Sequence, residues 1–386
     1  MRGYQKILVG LFTLLIGVVT IGTVYAAHLY GSASATFKKI GNVEVRKSDL
    51  RKTEVSIKNS EPFSIILMGI DTGALGRTEQ GRSDSMMVVT VNPKKKQSTI
   101  VSLDRDILTN IVGYEPNGTP YFDKLNHAYA FGSVDMAMDT VEKLLDIPLD
   151  HYVSINMEGL SDLMDAVGGI EVNNKIDFTL DGVHVPVGKL KLDGKTGLAY
   201  ARMRHEDPEG DIGRQRRQRE VVEKILRKVL SMDSISNYQK ILKAVEKNTL
   251  TDLSWEDMLA IGKNYTAAFD HVESKQLQGE SHTIADVYYQ ILGINELLTV
   301  QNTLKEQLNL SQASKLVVDE KFYYSSNGFI GDQFYDDTDY TKTNEYPYKF
   351  DKNDKISTHS KTKTNKTKTT QSSIEQATTE DTSADE

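Results

Sequence analysis

The chain has 386 residues, of which 26% are charged and 8% aromatic, with a formal charge of −8 and no cysteine. The lack of cysteine excludes disulfide scaffolds, thiolate metal sites and a cysteine nucleophile. The negative charge argues against nucleic acid as a partner, since binding phosphate backbones needs a basic surface.

In chain order, the first feature is the uncharged run Ile7 to Ala27, preceded by Arg2 and Lys6. As a helix it spans about 30 Å, the thickness of a bilayer's hydrocarbon core. It predicts a transmembrane anchor over 7–29, residues 1–6 cytoplasmic, and the body outside the cell, because cationic flanks stay inside. The rival is a cleaved signal peptide, for which Ala33-Ser34-Ala35 offers a small-residue site. Its apolar region is shorter, roughly 7–15 residues, so length favours the anchor. Lys38, Lys39, Arg46, Lys47, Arg51 and Lys52 oppose this polarity from a juxtamembrane linker over 30–60.

From residue 61 the pattern alternates strand and helix, which predicts an α/β layer fold. Phe63 to Gly69 reads as a buried strand. Met86 to Val91 and Ser98 to Leu103 read as a hairpin joined by Asn92-Pro93-Lys94-Lys95-Lys96-Gln97. Helices are predicted over 133–146, over 158–167 ending at Gly168-Gly169, and from near Ile212, with a strand at 152–155 between the first two. Residues 182–188 are turn-rich. Residues 236–350 read as mostly helical, with Asp252 or Ser254 as a cap. The last segment, 351–386, alternates Lys and Thr and then turns acidic. Its four apolar residues (Ile356, Ile374, Ala377, Ala384) cannot offset the entropy of ordering, so a solvated tail is expected.

Gly76 to Ser83 nearly matches a nucleotide-binding loop, with Arg82 in the lysine position. That motif needs a helix after the loop to present N–H groups to phosphate. Here a β-branched strand follows, so the nucleotide reading is rejected.

A different constellation carries chemistry. Asp71, Arg82 with Asp84, Asp104-Arg105-Asp106, and Arg202, Arg204, Asp211, Arg214 and Gln218 fall after predicted strands or at a helix start, where ligands of α/β sheets bind. Guanidinium groups match phosphate oxygens with paired, charge-assisted bonds. Aspartates among them would repel an anion unless a divalent cation bridges the two. Together they point to a metal-assisted phosphate or pyrophosphate site. On the helix from 211, Arg214 and Gln218 share the apolar stripe of Val221, Val222, Ile225, Leu226 and Val229, whereas Arg216 and Arg219 are expected in solvent. Taken singly each residue has a plainer role: Asp211 as an N-cap, Arg82 with Asp84 as a surface ion pair, Asp104 and Asp106 as loop solvation. His127 and His205 lack metal-like spacing, and Tyr200 and Met203 are expected to pack.

These residues resemble the LytR–CpsA–Psr family of membrane-anchored cell-envelope proteins over roughly 63–230. The motifs are the Asp71 loop, Arg82-Ser83-Asp84-Ser85, Asp104-Arg105-Asp106, Lys124-Leu125-Asn126-His127-Ala128, Gly168-Gly169, and Ala201-Arg202-Met203-Arg204 running on to Asp211, Arg214, Arg217 and Gln218. The resemblance implies a single α/β/α layered domain with a central mixed sheet, its catalytic core at 61–235. It implies transfer of a teichoic-acid or capsule-type glycopolymer from a polyprenyl pyrophosphate carrier onto peptidoglycan. It puts Asp71 and Asp84 at Mg²⁺ (or Mn²⁺), and Arg82, Arg105, Arg202, Arg204, Arg214 and Gln218 around the pyrophosphate. Asp71, Asp84, Arg105 and Asp211 are the expected catalytic residues. The lipid needs an apolar tunnel, expected beside the helices at 133–146 and 158–167. The other readings are a scaffold that binds lipid or glycan without catalysis, and a membrane-bound transcriptional attenuator. The attenuator needs a cytoplasmic DNA-binding segment, and only 1–6 precede the predicted span.

Overall fold

The computed structural model describes residues 27, 28, 30–36, 38, 39, 47–71, 81–116, 118, 120–230, 238–284 and 286–316, and short strands between 323 and 358. Two compact units divide the chain, Met1–Asn344 and Glu345–Glu386. In the second, Tyr348–Phe350 pairs antiparallel with Ile356–Thr358, the latter inside the segment expected as a solvated tail. The remainder of that tail lies outside the described residues.

The first unit is built on a six-stranded sheet. Its strands are β1 (Phe63–Ile70), β2 (Ser83–Asn92), β3 (Gln97–Leu103), β4 (His151–Asn156), β5 (Thr249–Thr251) and β6 (Val272–Leu277), in spatial order β5-β4-β1-β2-β3-β6. The β1–β2, β2–β3 and β4–β5 pairs are antiparallel, and β1–β4 and β3–β6 are parallel. The sheet is therefore mixed, as expected.

Successive side chains on a strand point to opposite faces, and both faces here are apolar. Ile66, Met68 and Ile70 of β1, with Met86 and Val88 of β2, pack into a core with helices α1 (His127–Leu145) and α7 (Ile294–Gln307). Ile65, Met87 and Val89 pack on the other face against Ala260, Ile261 and Tyr265. That face also receives α4 (Asp211–Leu230) and α6 (Trp255–Asn264), with α2 (Met157–Ala166), α3 (Gly194–Arg202) and α5 (Tyr238–Asn248) beside them. Ser254 caps α6 in a reciprocal capping box with Asp257, so of the two candidate caps it is the one used. Asp252 instead accepts the backbone N–H of Tyr152 at 2.9 Å.

Three expectations change. Helix α1 starts at His127 and is interrupted at Gly132 and Ser133, the latter at φ 59° and ψ −147°. A Cβ on Gly132 would lie 2.5 Å from the Cβ of Met136, so the break needs glycine there. Region 236–350 is not only helical: β6 and the hairpin Glu280–Ile284 with Val287–Gly293 lie in it. In β6 only Val272 and Leu277, at the two ends, are apolar, and such an edge strand leaves no alternation to read. Because β6 pairs with β3, the boundary expected at 235 falls inside one unit. The predicted anchor, apart from residues 27 and 28, lies outside the described residues, among which no helix is long and apolar enough to cross a membrane. Residues 76–80 of the nucleotide-like loop also lie outside them, and strand β2 follows as expected.

The linker is tied to the sheet. Arg51 Nε lies 2.5 Å from Asp150 Oδ1. Asp150 Oδ2 accepts from Arg51 Nη2 at 3.0 Å and from the Ser64 N–H at 2.8 Å. Removing this carboxylate strands a guanidinium and a backbone N–H with little water around them. Asp150→Ala should therefore cost about 3 kcal/mol in urea unfolding; a change below about 0.5 kcal/mol, typical of a surface position, would show that the tie is not made.

Candidate active site

The candidate residues meet where β1 ends, β2 begins, β3 turns and α4 starts. Asp71 follows β1, and its Oδ1 accepts the backbone N–H of Arg82 at 2.7 Å, closing the mouth of the intervening loop. Asp84, one residue inside β2, accepts from Arg105 Nη1 at 3.0 Å and from Asn126 Nδ2 at 3.4 Å. Ser85 Oγ donates to Gln218 Oε1 at 3.0 Å, joining β2 to α4.

On α4, Asp211 is a first-turn helical residue. Its carboxylate serves the neighbouring side chains: Oδ1 lies 2.6 Å from Arg214 Nη2 and 3.5 Å from Arg204 Nε. Arg214 is 11% exposed, and its Nε is buried with no hydrogen-bond partner among the described residues. Burial lowers its pKa; the Asp211 charge opposes that, and Arg105 and Arg204 add to it. The result is a desolvated guanidinium short of negative charge. Burial also works against the charge on Arg105, but Asp84 and Asp106 outweigh it and raise its pKa.

The site thus joins Asp84, Arg105, Arg204, Asp211, Arg214 and Gln218, with Asp71 at its edge. Two expected ligands are less enclosed. Arg82 is exposed, and Arg202, which lines the cavity beside Arg214, bonds Asp181 Oδ2 through Nη1 at 2.6 Å. Lys124 gains a defined place: its ammonium lies 2.7 Å from Asp106 Oδ1 and 5.7 Å from the centre of the Tyr289 ring. Arg217 is a structural residue. Buried, it pairs with Asp207 and bonds the Tyr200 and Met203 carbonyls, and the Tyr200 and Met203 side chains pack in the apolar core as expected. Arg216 pairs with Glu209 at the surface. The solvated reading of Arg219 is corrected: it is 8% exposed and reaches Gln276 of β6 at 3.3 Å, and burial lowers its pKa to about 10. Helix α4 lies against the sheet, so a second side of it is covered. Asn126 and Ser85 stand in the quoted motifs without an assigned role; their short polar side chains carry no periodic signal.

Behind this polar mouth lies a cavity of about 1090 Å³. Asp84, Ser85, Arg202, Arg214 and Gln218 line one part of it. The apolar wall comes from Leu67, Met87 and Val89 of the sheet, Val222, Ile225 and Val229 of α4, and Leu242 and Met258 of α5 and α6. The expected position of the tunnel is half right. Leu160 and Leu163 of α2 line it, but Val134, Met138 and Val141 of α1 fill the core on the opposite face of the sheet.

Comparison with known proteins gives a match to the LytR_cpsA_psr family over residues 25–306. The chain is 51% identical over 299 residues to "Polyisoprenyl-teichoic acid–peptidoglycan teichoic acid transferase TagU" of Enterococcus faecalis, covering 78% of this chain and 95% of that protein. It is 44% identical over 328 residues to "Biofilm regulatory protein A" of Streptococcus mutans, covering 80% and 78%. A solved structure described as "TagT bound to LIIa-WTA" superposes with a TM-score of 0.58 at 32% identity, covering 69% of this chain and 97% of that one.

The arginines of α4 should separate in two assays. Arg217→Ala should destabilise the fold by about 3 kcal/mol or more, because it leaves Asp207 buried and unpaired. Arg214→Ala should leave the melting temperature near that of wild type and weaken binding of a polyprenyl pyrophosphate by about 1.5–3 kcal/mol. Calorimetry of unfolding and of ligand binding reads both; the reverse pattern would exchange the two roles.

Proposed function

The chain belongs to the LytR–CpsA–Psr family, and from that premise we propose that it moves a teichoic-acid or capsule-type glycopolymer from a polyprenyl pyrophosphate carrier onto peptidoglycan. The relatives named as teichoic acid transferases support the reaction class. In the chain itself, one observation carries the reading: a largely buried, under-compensated Arg214 lines one part of a large, mostly apolar cavity. That arrangement suits an amphiphile with an anionic head. A volume of about 1090 Å³ is at the top of the range for ligand pockets, as a polyprenyl chain requires.

In this reading the tail fills the cavity and the pyrophosphate lies against Arg105 and Arg214. A peptidoglycan hydroxyl attacks the phosphorus that carries the glycopolymer. A new P–O bond forms, the bond from that phosphorus to the lipid phosphate breaks, and polyprenyl phosphate leaves. The hydroxyl proton passes to a nearby carboxylate or to water. Arg105, Arg204 and Arg214 place positive charge where negative charge grows, and a site screened from water strengthens that effect. Asp84, fixed by Arg105 and Asn126, is placed to orient the attacking hydroxyl.

Asp71 and Asp84 suit Mg²⁺ (or Mn²⁺). They are hard oxygen donors at adjoining strand ends, and Mg²⁺ normally takes one or two carboxylates with phosphate oxygens and water. When bound, the ion would neutralise charge on the pyrophosphate. The domain belongs outside the cell, tethered by the span at 7–29, because its acceptor is there.

Filling the cavity with Val222→Trp should abolish lipid binding without lowering the melting temperature; retained binding would put the tail elsewhere. Asp84→Asn should still bind lipid but lose transfer to peptidoglycan fragments together with its Mg²⁺ dependence. Transfer that survives both Asp84→Asn and a chelator would rule out metal assistance. A wild type that binds lipid and never transfers would favour the scaffold reading.

A further inference from the structure

Asp104 immediately precedes Arg105 and is 3% exposed. Its Oδ1 accepts the backbone N–H of Asp106 at 2.8 Å, which fixes the turn that carries Arg105. Its Oδ2 accepts from Gln215 Nε2 at 2.9 Å, and the same nitrogen donates to Asp211 Oδ2 at 2.9 Å. An amide nitrogen has two protons, and carboxylates take both. Asp211 in turn holds Arg214 and Arg204. One buried carboxylate therefore connects the β3 turn with the start of α4.

We propose that Asp104 is a positioning residue that acts through Gln215 to hold Arg105 in register with the Asp211–Arg214 pair for a pyrophosphate. The proposal rests on the pyrophosphate reading of this site. Its physical basis is the direction of one amide. An ionised Asp104 can only accept, so it keeps Gln215 Nε2 between the two carboxylates. Gln215 Oε1 is buried and has no hydrogen-bond partner among the described residues. If residue 104 could donate, the amide could turn over and set Oε1 against Asp211 Oδ2, oxygen facing oxygen. Asp211 would then lose a donor and shift against Arg214.

This arrangement is costly to the fold. Burial pushes the Asp104 carboxyl up to about 6; the Asp106 N–H opposes this, and the charges of Asp211 and Asp106 push the same way as burial. Those are the titratable groups facing it from its own turn and from α4, and β6 meets it with the Leu277 carbonyl, which takes its backbone N–H at 3.4 Å. A carboxyl whose folded pKa exceeds its unfolded value favours folding when protonated. Its contribution is full below the unfolded pKa and declines as pH rises toward about 6. At neutral pH the charge destabilises the fold while ordering the site. A residue retained only for packing would not behave this way.

The test uses the full chain in detergent, with farnesyl pyrophosphate as the probe in titration calorimetry and thermal unfolding alongside. At about pH 8, Asp104→Asn should bind roughly tenfold more weakly than wild type and melt no lower. At about pH 5, where wild-type Asp104 is mostly protonated, the two affinities should converge. Gln215→Met should cause a similar loss, and the double variant no more than the worse single one, because both cut one link. Equal affinities at the higher pH, losses that add, or a lowered melting temperature with a pH-independent loss would each overturn the proposal. A wild type that does not bind the probe would instead contradict the pyrophosphate reading itself, and this proposal with it.

Discussion

The site depends on a guanidinium kept from water. Arg214 sits at the edge of an apolar cavity, with Asp211 as its counter-charge and Arg105 and Arg204 adding positive charge nearby. In bulk water this cluster would bind an anion weakly; at low dielectric the same charges act more strongly. The cluster is tolerable because each cation is partly compensated: Arg214 and Arg204 by Asp211, Arg105 by Asp84 and Asp106. Arg214 lines the cavity with its Nε buried and unpaired among the described residues.

The fold explains how so many charges can be held there. Mixed strand directions bring the end of β1, the start of β2 and the turn after β3 to one edge of the sheet. Helix α4 then covers that edge with three functions on one rod. Its first turn carries Asp211 and Arg214, its next carries Gln218 toward Ser85, and its remaining stripe walls the cavity. Arg217, on another side of the same helix, bonds carbonyls at the end of α3 and fixes the rod in place. Head and tail of an amphiphile are thereby matched by consecutive turns of one helix.

Much of this was legible in the sequence. Strand β1 and the β2–β3 hairpin announce themselves through apolar, β-branched runs, and the stripe on α4 put Arg214 and Gln218 on the side of the helix that lines the cavity. Periodicity fails where a helix is covered on more than one side, which is why Arg219 is buried against expectation. It also fails for polar edge strands such as β6. The Asp104–Gln215 link was illegible for a different reason: residues 111 positions apart meet through tertiary packing, and neither has a spacing that predicts the other. The location of the cavity followed from which face of the sheet α4 takes, and local pattern does not determine that.

The central claim is that the cavity and the arginine-lined mouth together hold a polyprenyl chain with its phosphate head. Mass spectrometry of lipids that co-purify with the membrane-expressed protein tests this most directly. The account predicts a polyprenyl phosphate or pyrophosphate, enriched over membrane phospholipid and displaced by added polyprenyl pyrophosphate. Recovery of membrane phospholipid alone, in proportion to its abundance in the bilayer, would contradict it.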